Sequence, residues 1–398
     1  MSNRCRNKEG GDEKGGVGSM KRKSKLDIER LRELSVHLKD PRRRWGNKRH
    51  ELVDILIVAL LAIISGCEGW EEIRDYGRSK LEWMRTFLTL AHGIPSVSTF
   101  QRVFMLIHPE ALEMIYRQWV SQYVGSCYGK QVCIDGKSVR GVGKRGNETL
   151  HMVSAWIRED EITLGQIKTP AKSNEITAIP QLLESLDLYG SIVTIDAIGC
   201  QIDIARQVRK KEAHYILAVK GNQRTLAEEI KEYFDWALDD PIEKQHLSQH
   251  KEIDFDHGRT TKWRIYSTIN TVWFESKADW TGLTSFVMVE CTRRRKDQET
   301  VQRRYYISSL EADAKYFHQR IRGHWHVENK LHWMLDVAFN EDHSPIHKGN
   351  APQNLSLLSK MALTLLRLDS SKNAGIARKR KIAGWDNDFA LSIIFTNL

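Results

Sequence analysis

Apolar residues recur at helical spacing from residue 51 to about residue 128. After Gly129 they fall into short continuous or alternating runs separated by helical stretches. The first region predicts helices over residues 50–65, 70–76, 80–90, 98–107 and 109–124, with Gly66, Gly69 and Pro95 as breaks and Ser96 and Ser98 as N-cap candidates. The turn between Leu90 and Ser98 would suit a helix-turn-helix DNA reader. A plain bundle uses such turns more often and is the reading adopted. Residues 26–38 also show helical spacing through Leu31, Leu34 and Leu38, stopped by Pro41, while residues 1–25 are polar, Gly- and Lys-rich and expected to be disordered.

The second region predicts an α/β fold. Residues 131–135, 191–196 and 214–219 read as apolar strands, the first two ending in Asp135 and Asp196. Residues 148–157 and 161–168 read as strands around a charged turn, and residues 177–186 and 201–211 as helices. A helix over 225–238 opens a β-rich segment with strands in 253–269, 285–292 and 301–308. Helical spacing resumes over 314–337 and 354–368. The division that follows is a basic arm (1–50), a helical N-terminal domain (51–128), a core in two pieces (129–223 and 313–370) around a β-rich insertion (224–312), and a basic tail (371–398) containing Arg378, Lys379, Arg380 and Lys381.

Charge sharpens this division. The 398 residues carry 61 Lys and Arg against 51 Asp and Glu, a net charge of +10 that suggests a polyanionic partner. Residues 1–50 hold 16 of those bases and 7 of the acids, which leaves 45 against 44 in the rest. The excess belongs to the arm, and the body is nearly neutral. Six scattered cysteines with no C-x-x-C pair fit a reducing cytoplasm. The longest apolar run, residues 55–64, is well short of the roughly 20 residues that cross a bilayer, so no membrane partner is expected.

The chemistry lies in the acids. Asp135 and Asp196, placed at the C-terminal ends of neighbouring strands, would meet where α/β sheets bind ligands. Carboxylates gathered without a base repel one another. A hard dication relieves that, and two Mg²⁺ ions about 4 Å apart are suited to phosphodiester chemistry. Each Asp alone could equally be a strand end. Glu328 is the candidate third acid, sharing a helical face with His324 and His332. Zinc is disfavoured there: H-E-x-x-H is absent, and histidines eight residues apart on a helix do not reach one ion.

Four segments carry a resemblance: Ile134-Asp135-Gly136-Lys137, Thr194-Ile195-Asp196-Ala197, residues 219–223 (Val-Lys-Gly-Asn-Gln) and residues 324–333 (His-Trp-His-Val-Glu-Asn-Lys-Leu-His-Trp). Together they resemble the H-repeat-associated transposases of bacterial insertion sequences, a DDE group found beside Rhs elements, over residues 40–350. The resemblance implies a ribonuclease H-like fold, a DDE triad of Asp135, Asp196 and Glu328 holding Mg²⁺ or Mn²⁺, and double-stranded DNA as partner, with a homodimer pairing two element ends. The related larger group has Y-x2-R-x3-E-x6-K, where this chain has Ile321, His324, Glu328 and Leu335. Its phosphate contacts are therefore expected from other residues.

Lys137 and Arg140 after the first acid, Lys220 beside Gly221, and Arg322, His324 and Lys330 around the third acid are the candidates for DNA contact. Lys144 and Arg145 extend the first group, and the helix bearing Arg206 to Lys211 is read as a solvated face. Asp336, Glu341 and Asp342 rank below Glu328. In the β-rich segment, Trp263, Trp273 and Trp280 precede Arg293 to Lys296. Such a mixture can hold unpaired bases, although packing is the commoner role of a tryptophan. The expected activity is cleavage at insertion-element ends followed by strand transfer. The rivals are a nuclease that cuts without joining and a catalytically silent DNA-binding relic.

Overall fold

The structure, a computed structural model, describes residues 38–42, 48–140, 149–169, 175–256, 259–295 and 298–394. The expected disordered start, nearly all of the 26–38 helix, Lys144, Arg145, the His257-Gly258 turn and Lys296 lie outside these residues.

Helices α1 (Leu52–Ile64), α2 (Trp70–Ser79), α3 (Val97–Leu106) and α4 (Pro109–Val124) form the N-terminal region. Eleven of the 13 residues of α1 are buried, as a sequence apolar at every position but Asp54 requires. Buried Asp54 accepts the Leu90 amide at 3.1 Å. The Ser96 side chain caps α3 by accepting the Thr99 amide. The helix expected over 80–90 is helical only at Leu81–Met84.

Among the described residues nine strands form one sheet. They are β1 (Gln131–Val139), β2 (Leu150–Ile157), β3 (Ile162–Thr169), β4 (Ile192–Ile195), β5 (His214–Val219), β6 (Ser248–Asp256), β7 (Arg259–Thr268), β8 (Ser285–Arg295) and β9 (Gln298–Ser308), ordered 3-2-1-4-5-9-8-7-6. β1, β4 and β5 are mutually parallel, and every other neighbouring pair is antiparallel. The β-rich segment therefore extends the sheet through β5 and β9. Helices α5 (Ala178–Glu184), α6 (Ile202–Lys210) and α7 (Arg224–Asp239) join the strands, and α8 (Ala314–His324) follows β9.

Side-chain alternation explains why both faces are covered. Ile192 and Ile216 face a cluster with Phe317 and Ile321 of α8. Val193, Ile195, Tyr215 and Leu217, the intervening residues, face the larger core. That core is continuous with α1–α4 and with α10 (Ala351–Leu368), which follows the short α9 (Trp333–Phe339).

Two local expectations are corrected, and the tail proves to be helical. β1 does not end at Asp135; it continues to Val139 because β2 keeps pairing with it as far as Val139↔Leu150, after its pairing with β4 has stopped. The expected 314–337 helix is interrupted by a wide i→i+5 turn over Val327–His332. The basic tail folds into α11 (Ile376–Trp385) and α12 (Asn387–Ile394). There Lys379 and Arg380 are buried because they satisfy orphan carbonyls at helix C-termini. Lys379 Nζ donates to Leu366 O at 3.0 Å, and Arg380 donates to Ile63 O and Ala338 O while lying over the Phe339 ring.

Candidate active site

Parallel pairing of β1 with β4 puts Ile134 beside Ile195. The next residue of each chain is an acid, so Asp135 and Asp196 emerge side by side at the sheet's parallel C-terminal edge. Asp196 turns the chain there, its carboxylate accepting the Ile198 amide at 3.1 Å.

Glu328 arrives from the opposite face of the sheet. α8 climbs toward the same edge, and the wide turn of Val327–His332 carries Glu328 into the cleft. Such turns recur at functional sites. His324 and His332 bracket it. His324 Nδ1 lies 2.9 Å from Thr194 Oγ1, and His332 Nδ1 lies 3.4 Å from Asp135 Oδ2. A cleft of about 250 Å³ is lined by Asp135, Asp196, Lys220, Arg304, Trp325 and Glu328, among others.

Burial pushes the Asp135 carboxyl up to about 7, with Asp196, Glu175 and Glu328 adding repulsion. Burial also holds His324 down to about 4 and His332 down to about 3. Both rings are therefore neutral near neutral pH and supply no positive charge to the acids. Among the described residues no Lys or Arg pairs with Asp135, Asp196 or Glu328. An array of hard oxygen donors with unbalanced negative charge fits divalent cations of the Mg²⁺ class.

Comparison with known proteins shows the family. The model of the transposase DDE domain matches residues 129–365, and that of a DDE transposase-associated region matches residues 34–120. The chain belongs to the H-repeat-associated group of DDE transposases. It is 36% identical to the "H repeat-associated putative transposase YhhI" of Escherichia coli K12, over 93% of this chain and 98% of that one. It is 41% identical to the "Putative transposase YncI" of Escherichia coli O157:H7, over 85% and 88%. A solved piggyBac transposase synaptic complex with hairpin DNA gives a TM-score of 0.42 at 12% identity over 92% of this chain and 76% of that one, too distant to assign anything.

Within this transposase the basic candidates separate. Lys220 lines the cleft, as does neutral His324. Lys137 does not face it. With β1 prolonged, its side chain, only 8% exposed, is paired with Asp336 and with Glu341 at 2.7 Å. Arg322 is held by Glu252 at 2.8 Å and Asp254 at 2.9 Å, and Lys330 is paired with Glu161. Lys137 is committed inside the protein, whereas Arg322 and Lys330 are exposed and engaged in ion pairs at the surface. Arg140 remains exposed beside Asp342. Trp273 stacks on Tyr233 at 4.8 Å and Trp280 is buried, so both pack the fold. Trp263 donates to Asp254 at 3.1 Å. Ile321 and Leu335, the departures from the larger group's signature, are buried core residues.

Two residues near the acids were missed from sequence. Arg304 lies on β9 just past the Val219↔Tyr305 pair, close to Lys220, with its guanidinium 4.6 Å from the Trp325 ring centre. Its signal was the alternation of Gln302, Arg304 and Tyr306, all of which reach the cleft. Glu175 packs so closely over Gly136 that a Cβ there would lie 1.8 Å from its Oε1. Nothing in the sequence around Glu175 marks it.

Proposed function

We propose that this protein catalyses metal-dependent cleavage at the ends of an insertion element and transfer of the freed 3′ ends into target DNA, on a ribonuclease H-like core. The observation that carries this is the convergence of Asp135, Asp196 and Glu328, from three separate elements, on one cleft without a paired base. The 3-2-1-4-5 strand order with β2 antiparallel supports the ribonuclease H-like reading.

Asp135, Asp196 and Glu328 would hold two Mg²⁺ ions, with Mn²⁺ as a substitute. When bound, such ions supply the charge that activates a water or 3′-hydroxyl and stabilises the leaving oxygen. Lys220 and Arg304 bind the DNA backbone on the sheet side of the cleft, taking the place of the phosphate contacts that Ile321 and Leu335 lack. The Trp325 face offers a stacking surface for a base displaced at the cut. His324 and His332 stay neutral and fix the two ends of the turn that bears Glu328. The working unit is a homodimer that pairs two ends of double-stranded DNA in the cytoplasm. Among the described residues no helix is long and apolar enough to cross a membrane.

The test is incubation with DNA carrying candidate ends and Mg²⁺ or Mn²⁺, beside Asp135→Asn. Metal-dependent nicking by the parent alone supports the site, and joining of pre-cut ends supports strand transfer. Cutting without joining makes it a nuclease. Binding without metal-dependent cutting makes it a relic. Equal cleavage by the variant overturns the triad.

A further inference from the structure

A second cluster of metal-ligating side chains lies away from the cleft, between β6 and α8. His250 and Glu252 are two residues apart on β6 and project from one face of it. His318 reaches the same face from α8, which packs across β6 and β7. Both imidazoles turn a nitrogen toward a single carboxylate oxygen. His250 Nε2 lies 3.4 Å from Glu252 Oε2, and His318 Nδ1 lies 3.2 Å from it. The other oxygen of Glu252 is taken by Arg322 at 2.8 Å, which also holds Asp254 at 2.9 Å. His318 is 2% exposed, and its Nε2 has no hydrogen-bond partner.

Hydrogen bonding alone does not explain this geometry. The 3.4 Å separation is long for an N–H···O bond, and the 3.2 Å separation lies at the upper end of the usual range. They match a tetrahedral zinc centre, in which ligand bonds of about 2.0–2.2 Å leave neighbouring donor atoms about 3.3 Å apart. One ligand atom from each of the three residues fits within 4.8 Å of the others. The local charge also favours a cation: Glu252 and Asp254 outweigh Arg322.

We propose that His250, Glu252 and His318 bind one divalent transition-metal ion of the zinc class, with water as the fourth ligand. Two imidazoles select against Mg²⁺, so this donor set differs in kind from the three carboxylates of the cleft. Arg322 and Asp254 form its outer shell. The ion ties the far strand of the sheet to the helix that delivers Glu328, so its role is to brace the third acid. The proposal does not depend on the reaction assigned to the cleft.

The full chain, stripped with a chelator, is titrated with ZnCl₂ and separately with CoCl₂, whose tetrahedral complexes absorb visible light. Using the Asp135→Asn protein minimises binding by the cleft. One equivalent of Zn²⁺ is expected, with a raised melting temperature and a tetrahedral Co²⁺ spectrum that excess MgCl₂ does not abolish. His250→Gln, at a ring 21% exposed, should weaken zinc by more than the roughly 10–100-fold that loss of an outer-shell contact causes, with the metal-free melting temperature unchanged. Glu252→Gln should weaken zinc by a similar factor. Unchanged zinc affinity in both variants, or no zinc-dependent rise in melting temperature, overturns the site.

Discussion

Asp135 and Lys137 are two residues apart on one strand, yet they stand in opposite electrostatic settings. Around Asp135 acids gather without bases, and its carboxyl rises to about 7. Around Lys137 the charges balance. Burial works to raise the Glu341 carboxyl, but Lys137 and Lys360 outweigh it and hold it below the ordinary range. The first setting is unsatisfied by the protein itself and needs something from outside. The second is complete and serves stability. The difference shows that counting charges near a motif does not identify a site; the informative quantity is whether each charge already has a partner.

The largest effect should come from the unpaired side. Asp135→Asn, Asp196→Asn or Glu328→Gln should lower metal-dependent cleavage of end DNA by about a thousandfold or more, roughly 4 kcal/mol of barrier, measured as nicking rate at saturating Mg²⁺. A loss below tenfold for any of the three removes that acid from the triad. On the paired side, Lys137→Met leaves buried Glu341 and Asp336 short of a cation. It should cost about 3–5 kcal/mol in denaturant melts, while a near-neutral result would erase the distinction between the two settings.

The next effect separates the settings by pH. Asp135 titrates near 7 in the fold against an ordinary 3.8, so between those values the folded chain holds a proton that the unfolded chain has lost. Without metal, its contribution to stability is present at low pH and is lost as pH rises through 7. Metal-free Asp135→Asn should therefore melt higher than the parent at pH 8, by a few kcal/mol at about 1.4 kcal/mol per pH unit. The two should converge near pH 3.5. Calorimetry in chelator checks this, and parallel pH profiles would refute it. The smallest effect concerns the cleft's bases: Arg304→Gln or Lys220→Gln should each reduce the slope of log affinity against log salt by about 1, whereas Arg322→Gln should leave it unchanged.

Much of the framework could be read from the chain. The apolar runs ending in Asp135 and Asp196 are local signals, and parallel pairing turns them into neighbours. The segment around Glu328 was equally legible because its polar and aromatic face suits no simple core helix. Partner choice was not legible. Whether Lys137, Arg322 or Lys330 meets DNA or an internal carboxylate depends on Glu341, Glu252 and Glu161, which lie far away in sequence. The tail shows the same dependence, since Lys379 and Arg380 find their partners in carbonyls at helix ends elsewhere in the chain. Glu175 was invisible because its proximity to Gly136 exists only in three dimensions.

The strand order carries one more consequence. β5 ends at the cleft edge, α7 leads away from it, and β6 to β9 run alternately until β9 lies antiparallel to β5. α8 must then climb back, and it delivers Glu328 to the correct edge only because the number of intervening strands is even. Relatives can thus gain or lose a hairpin here at little cost to the acids. Gain or loss of a single strand would reverse α8 and leave Glu328 at the wrong end of the sheet. Parity, more than length, limits how this stretch of the chain can evolve.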